Sequence, residues 1–307
     1  MKVVVTGAGG FVGRHLVAKL LARGHGVTGL DTHDGGIPAG ARAVAGDLAN
    51  PAVRAEALAA GCDALVHLAT VPGGAAEADP AASRRINVDA MYDLLEEVAR
   101  VGQRPRVVYA SSIAVLGEHL PAAGVDDSTP LSPHLVYGGH KAMMEVAAAL
   151  LSNRGTIDAV TVRLPGILAR PKGPSGMKSA FMSDLFHALK AGEPFTCPTS
   201  PGATIWAQSV DRCAANFVHA LTLDTGLLPA TRAVTLPALL IRMDELAAEI
   251  ARQCGTDPAL VTYVPDAPLE KAFGTYPPLT TPAAERAGFA HDGSLAKLVA
   301  SALSTLG

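Results

Sequence analysis

The chain begins KVVVTGAGGFVG, a β-branched run that breaks into glycines and resumes as an apolar, helix-forming segment. A strand running into Gly7, Gly10 and Gly13 has few ways to continue. One glycine suits a tight turn, one allows a close backbone approach, and one lets a helix pack directly on the strand it follows. The spacing predicts a βαβ unit and therefore a parallel sheet, because a strand followed at once by a helix returns through a right-handed crossover.

The same alternation continues to about residue 165. KVVVTG, GVTGLD, ARAVAGD, ALVHLAT, RVVYASS and AVTVRLPG read as strands, with helical segments expected near 11–23, 51–60, 83–102 and 138–153. Past Pro165, RPKGPSGMKS and CPTSPGATIW crowd proline, glycine and serine around a helix near 177–191. Such segments are loops on a rigid scaffold, where ligand contacts concentrate. SVDRCAANFVHAL, RAVTLPA, MDELAAEIARQCG and GSLAKLVASALSTLG add a helix, a strand and two late helices. The expected fold class is α/β, a Rossmann-type doubly wound parallel sheet with a smaller C-terminal substrate-binding region. Residues 1–168 would form the dinucleotide-binding domain, with 206–238 returning to it, and 169–205 and 239–307 would form the substrate-binding region.

Composition narrows the class of partner. Hydrophobic residues make up 49% of the 307 and charged ones 17%, enough for a large core. A net charge of -3 offers no basic field for nucleic acid or an anionic membrane surface. No apolar run reaches the length of a membrane span, and MKVVVTG enters a strand without a charged leader, so a soluble cytoplasmic protein is expected. Cys62, Cys197, Cys213 and Cys254 are too sparse for a disulfide framework, and neither they nor His15 and His67 have metal-ligand spacing, so no metal is expected.

The glycine turn points to a dinucleotide. The helix starting near Phe11 and Val12 would present its N-terminus to a pyrophosphate. Asp31 closes the second strand about 20 residues on, where a carboxylate accepts hydrogen bonds from the adenosine ribose and repels a 2′-phosphate. The expected cofactor is NAD. Asp47 and Leu48, in AGDL, stand where an adenine contact or a helix cap would lie.

Two further pieces fall in order: RVVYASSIAVLGE, ending a strand at Ser112, and YGGHK, with Tyr137 and Lys141 four apart on one helical face. Together with Thr6 to Gly13 and Leu164 to Gly166, they resemble the extended short-chain dehydrogenase/reductase family over essentially the whole chain. The resemblance implies that Ser112, Tyr137 and Lys141 carry hydride-coupled proton transfer and that Asn87 supports the site. It also implies that Leu68, Ala69, Thr70, Leu164, Gly166 and Ile167 line the cofactor, and that a homodimer forms through helices 83–102 and 138–153. The chemistry suits these residue types. A tyrosine titrating near pH 10 is a poor base unless its phenolate is stabilised, and an ammonium at i+4 would do so. Gly138 and Gly139 would leave room beside the phenol for cofactor, substrate or backbone.

Three activities remain open at this point: a dehydrogenase, a nucleotide-sugar epimerase or dehydratase, and a non-catalytic dinucleotide-binding sensor. The intact Ser112, Tyr137 and Lys141 argue against the sensor. ATIWAQSVDRC lacks much of the run found in nucleotide-sugar members, while HLATVPGGAAEAD, RLPGILARPKGPSG and EPFTCPTSPGATIWAQS resemble a branch that oxidises small sugar acids. The substrate would then meet Ser112, Ile113, Tyr137, Arg170, Lys172, Ser175, Ser179, Trp206 and Arg212, with cationic and hydroxyl groups pairing a carboxylate and its neighbouring hydroxyls.

Overall fold

The structure, a computed structural model, describes residues 1–173 and 178–306. Twelve strands follow in chain order among them: β1 (Lys2–Thr6), β2 (Gly26–Asp31), β3 (Arg42–Ala45), β4 (Ala64–His67), β5 (Arg106–Ser112), β6 (Asp158–Leu164), β7 (Gly166–Ile167), β8 (Phe195–Cys197), β9 (Thr204–Gln208), β10 (Ala233–Thr235), β11 (Leu239–Arg242) and β12 (Val261–Tyr263). The helices are α1 (Phe11–Ala22), α2 (Pro51–Leu58), α3 (Gly73–Ala78), α4 (Pro80–Arg84), α5 (Met91–Val101), α6 (Val136–Asn153), α7 (Phe181–Ala191), α8 (Val210–Ala220), α9 (Met243–Cys254), α10 (Ala267–Phe273), α11 (Pro282–Arg286) and α12 (Leu295–Ser304).

Seven strands form one parallel sheet in the order β10-β6-β5-β4-β1-β2-β3. The chain winds outward from β1 to β3, then crosses back to β4 and winds the other way, so the switch point lies between β1 and β4. Ligands of open α/β sheets bind at such a point, beyond the carboxyl ends of the strands. Both faces are covered, which explains the continuous apolar runs. Leu16, Val17 and Leu20 of α1 and Phe217 of α8 close one face, and Leu94, Leu95 and Val98 of α5 with Met144 and Ala148 of α6 close the other. This is the doubly wound sheet that the sequence predicts, with RAVTLPA supplying β10 as its seventh strand.

The expected single helix over 83–102 is divided. It runs as α4, a π-helical turn over Arg85–Ala90, and then α5. A π turn widens the helix by one residue and is frequent at functional sites. Here it contains Asn87, which is 3% exposed. Helix α6 has no capping side chain of its own at Leu135; instead Glu77 of α3 accepts a 2.6 Å hydrogen bond from the Val136 N–H.

Beyond β6 the chain builds a second core from α7, α9 and α12 with Ile205, Ile241, Leu246, Ile250, Leu298 and Val299. The antiparallel pair β11 and β9, extended by β7, connects this core to the end of β6. The four cysteines are free. Among the described residues no helix is long and apolar enough to cross a membrane, and no group of histidine, cysteine and carboxylate side chains is arranged to hold a metal ion.

Candidate active site

The glycine turn is built for close approach. Gly7 sits at φ +70°, and a Cβ there would lie 2.8 Å from the Ala69 nitrogen. At Gly13 a Cβ would run into the Gly7 carbonyl oxygen and lie 2.9 Å from Ala8 Cα, so α1 packs on the turn only because that position is bare. Gly10 precedes α1 without a side-chain cap, leaving the first N–H groups of the helix at Phe11, Val12 and Gly13 for an anion. Asp31 ends β2 against this turn. Its Oδ2 accepts from the Gly9 N–H at 2.9 Å and its Oδ1 from the Thr32 N–H at 2.8 Å. Thr32, His33 and Asp34 follow it, with no arginine to accept a 2′-phosphate. A cradle that a methyl group would fill and a carboxylate fixed at its ribose end together fit NAD.

Asp47 caps its own turn through the Ala49 N–H at 2.9 Å and pairs with Arg85 at 3.2 Å, while Asn50 caps α2. Leu48 is buried beside it. Its carbonyl accepts from Arg54, whose guanidinium is 2% exposed and also holds Glu97 and Asp93. The turn after β3 is therefore pinned by an ion cluster that the sequence did not reveal.

Leu68, Ala69 and Thr70 follow β4 along the same edge. The Thr6 hydroxyl bridges His67 Nδ1 at 2.8 Å and the Ala69 N–H at 3.3 Å. His67 is fully packed, and burial pushes its pKa down to about 3, so it is a neutral strand residue. Asn87 holds the next stretch. Its Oδ1 accepts from the Val71 N–H at 2.7 Å and from the Thr70 hydroxyl at 3.1 Å, and its amide donates to Val71 O at 3.0 Å and Ser83 Oγ at 3.1 Å. Ser83 in turn meets His140 Nδ1 at 3.0 Å. Asn87 thus shapes the loop beside the glycine turn, and among the described residues it makes no hydrogen bond to Tyr137 or Lys141.

Ser112 and Leu164 are register partners at the ends of β5 and β6. The Ser112 oxygen accepts from the Ala114 N–H at 3.1 Å, which fixes the 3-10 turn carrying Ile113. Tyr137 faces it from the first turn of α6, and Gly138 permits this. A Cβ at 138 would run into the Ala114 carbonyl oxygen, whereas one at 139 would meet nothing within 4 Å. Of the two glycines, only Gly138 makes room, and it does so for backbone.

The charges around Tyr137 differ from the expected pattern. Burial raises its pKa, and the opposing influences are the Arg170 charge and the Ser112 hydroxyl. The Lys141 ammonium, 2% exposed, donates to Ala110 O at 2.8 Å and lies over ring faces, 4.9 Å from the centre of Tyr109 and 5.5 Å from that of Tyr137. Burial pulls its pKa down to about 7 against the pull of Glu145. Glu145, one further turn along the same face, is committed elsewhere: Arg163 holds it at 2.7 and 2.9 Å and the Ser111 hydroxyl at 2.5 Å. Its position was visible as the third member of the series Tyr137, Lys141, Glu145. Its partner on β6 was not.

Arg170 arrives beside the phenol through an unusual backbone. Ala169 is fully buried at φ +57°, a left-handed conformation that costs an alanine about 1 kcal/mol. The turn sets the Arg170 guanidinium 5.4 Å from the Phe11 ring, and among the described residues its only hydrogen-bond partner is Ile167 O, at 3.3 Å. His187 anchors the Arg170 carbonyl at 2.7 Å. Gly166 and Ile167 lie in β7 just before it. Lys172 is exposed, Ser179 and Arg212 are half-buried, and Ser175 lies outside the described residues. Trp206 is placed elsewhere. It is 1% exposed, stacks on Tyr276 at 4.8 Å, and donates its only N–H to Pro277 O at 2.7 Å, so it packs the wall behind the site.

Residues 3–206 match the NAD dependent epimerase/dehydratase family. The chain is 35% identical to the D-erythronate dehydrogenase of Cupriavidus necator over 97% of each chain, and 31% identical to that of Haemophilus influenzae over 83% of each. Its fold overlays a nucleoside-diphosphate-sugar epimerase from Agrobacterium tumefaciens with a TM-score of 0.88 at 27% identity, covering 97% of this chain and 92% of the other. The chain belongs to the NAD-dependent epimerase/dehydratase family, and NAD is its cofactor.

Proposed function

We propose that the protein oxidises a secondary hydroxyl of a small sugar acid of the D-erythronate type to the keto acid. The observation that carries this reading is Arg170, a cation beside Tyr137 whose guanidinium reaches only one acceptor among the described residues. A planar fork of donors that the described residues leave unused pairs a carboxylate in two-pronged fashion. The identity to D-erythronate dehydrogenases over nearly the full length supports the same choice.

NAD supplies the hydride acceptor and a positive ring charge. The glycine turn and Asp31 would hold its phosphates and ribose, and residues at the ends of β5 and β6 would line its nicotinamide side. Ser112 and Tyr137 hold the reacting hydroxyl between them. As the carbon–hydrogen bond breaks and its electron pair leaves as hydride, the O–H proton passes to the Tyr137 oxygen and the C=O bond forms. Arg170 binds the substrate carboxylate and, with Lys141, favours the phenolate. Ser179, Lys172 and Arg212 are further candidates for the hydroxyl and carboxylate end.

Met143, Val146 and Leu150 form an exposed apolar stripe on α6, at 54%, 66% and 49% exposure. A second copy of the chain, docking α5 and α6 against their counterparts in a cytoplasmic homodimer, would cover it. The catalytic reading is tested by NAD reduction with D-erythronate and other four- to six-carbon sugar acids, uncharged secondary alcohols and UDP-sugars. Acids should give the highest kcat/KM; a preference for UDP-sugars or neutral alcohols overturns the reading.

A further inference from the structure

A buried ammonium usually finds carboxylates or several carbonyls, because leaving it unpaired costs several kcal/mol. Lys141 has neither. Its one protein acceptor among the described residues is Ala110 O, and the nearest carboxylate, Glu145, is saturated by Arg163 and Ser111. What surrounds the ammonium is aromatic: the ring of Tyr137 from its own helix and that of Tyr109 from β5, the latter closer. Tyr109 is itself 1% exposed, and its hydroxyl has no hydrogen-bond partner among the described residues. A buried tyrosine normally satisfies its hydroxyl, so the position uses the ring.

We propose that Tyr109 is a positioning residue of the active site, its π face forming with Tyr137 an aromatic clamp that holds the Lys141 ammonium in place and favours its charged form against the cost of burial. A cation over a ring face is worth more once desolvated, and this one is. The other charged or titratable groups around it are accounted for. Neutral His67 of β4 stands against Tyr109 at 6.0 Å between centroids, while Glu145 of α6 and Arg163 of β6 form their own pair. The clamp explains how the site holds a buried cation against two rings and one carbonyl without a carboxylate of its own. The catalytic part of the proposal rests on the dehydrogenase reading; the binding part does not.

The test therefore reads Lys141 directly. In protein labelled with 13C at the lysine ε carbon, the Lys141 resonance, assigned by its loss in Lys141→Met, is titrated in the wild type, Tyr109→Phe, Tyr109→Leu and a series with progressively fluorinated phenylalanine at 109. Fluorination drains the ring face while nearly preserving its shape, so it keeps the test available if the leucine variant does not fold. Tyr109→Phe should titrate like the wild type, while fluorination should move the pKa down stepwise, by about one pH unit at full fluorination, with leucine similar. The alkaline limb of kcat/KM for sugar-acid oxidation should move in parallel. If Lys141 titrates alike throughout the fluorinated series, or if phenylalanine shifts it as far as leucine does, the clamp is wrong. If the resonance shifts while no sugar acid is oxidised, the clamp stands and the substrate reading falls.

Discussion

Gly138 lies so close to Ala114 that a methyl group on it would stand 3.0 Å from the Ala114 carbonyl carbon and collide with the oxygen. This contact sets how near α6 comes to the turn after Ser112, and hence where Tyr137 sits. Gly138→Ala should destabilise the protein by about 1–3 kcal/mol, as overpacking does, and lower turnover. Gly139→Ala, facing open space in the helix, should stabilise by about 0.5–1 kcal/mol with activity retained. Urea denaturation of the two variants checks this, and equal effects at both positions would remove the distinction.

Tyr137→Phe deletes the proton acceptor and little volume. Turnover should fall roughly 100- to 10,000-fold, the usual contribution of an acid-base group, while NAD affinity stays within about threefold. Isothermal titration with NAD alongside steady-state kinetics separates the two quantities. A variant retaining a third of wild-type kcat would assign the proton transfer to another group.

The sheet and the glycine turn were legible because both rest on local patterns: β-branched runs, helical period, and bare positions where helix meets strand. Tyr137 and Lys141 were legible from helical spacing. The charge distribution was not, because it depends on pairs brought together across the fold. Arg163 neutralises Glu145 from β6, Arg54 reaches Glu97 from α2, and Arg170 depends on the left-handed Ala169. The expectation that the Lys141 ammonium would stabilise the phenolate rested on the family resemblance and on helical spacing, which places side chains on a face without fixing what their tips touch. Trp206 misled for a similar reason: a large polar-edged side chain in a loop-rich region can equally fill the wall behind a site.

Asp31 is held by Gly9 and Thr32, with its carboxylate beside the glycine turn. Asp31→Ser removes the charge that repels a 2′-phosphate and keeps a short hydrogen-bonding group. The ratio of kcat/KM for NAD over NADP should fall by about 10- to 100-fold, the equivalent of one charged hydrogen bond. An unchanged ratio would mean that another residue reads the ribose.

Arg170→Met should act on the acid end of the substrate. KM for a sugar acid should rise about 10- to 100-fold, while the kinetics of a neutral secondary alcohol change far less. Because the Arg170 charge also lowers the Tyr137 pKa, the acid limb of kcat should move to higher pH in the same variant. Equal losses on charged and neutral substrates would limit Arg170 to that second role.

Lys141 makes a pH-dependent contribution to stability whose sign is fixed by the direction of its shift. Its pKa falls from an ordinary 10.5 to about 7 on folding, chiefly because burial penalises the ammonium. Between these values the unfolded chain holds a proton that the folded protein has released, so stability rises with pH over that window and is lost as pH falls back toward 7. Below about pH 7 the folded protein carries the full cost of the buried charge. Lys141→Met keeps the length of the side chain and removes the charge, at the expense of the hydrogen bond to Ala110 O. Relative to the wild type it should therefore gain stability on the order of a few kcal/mol at pH 6, with the gain shrinking steadily toward pH 10. Urea midpoints of both proteins across that range provide the measurement, and a gain that does not depend on pH would show that Lys141 enters the folded state without giving up proton affinity.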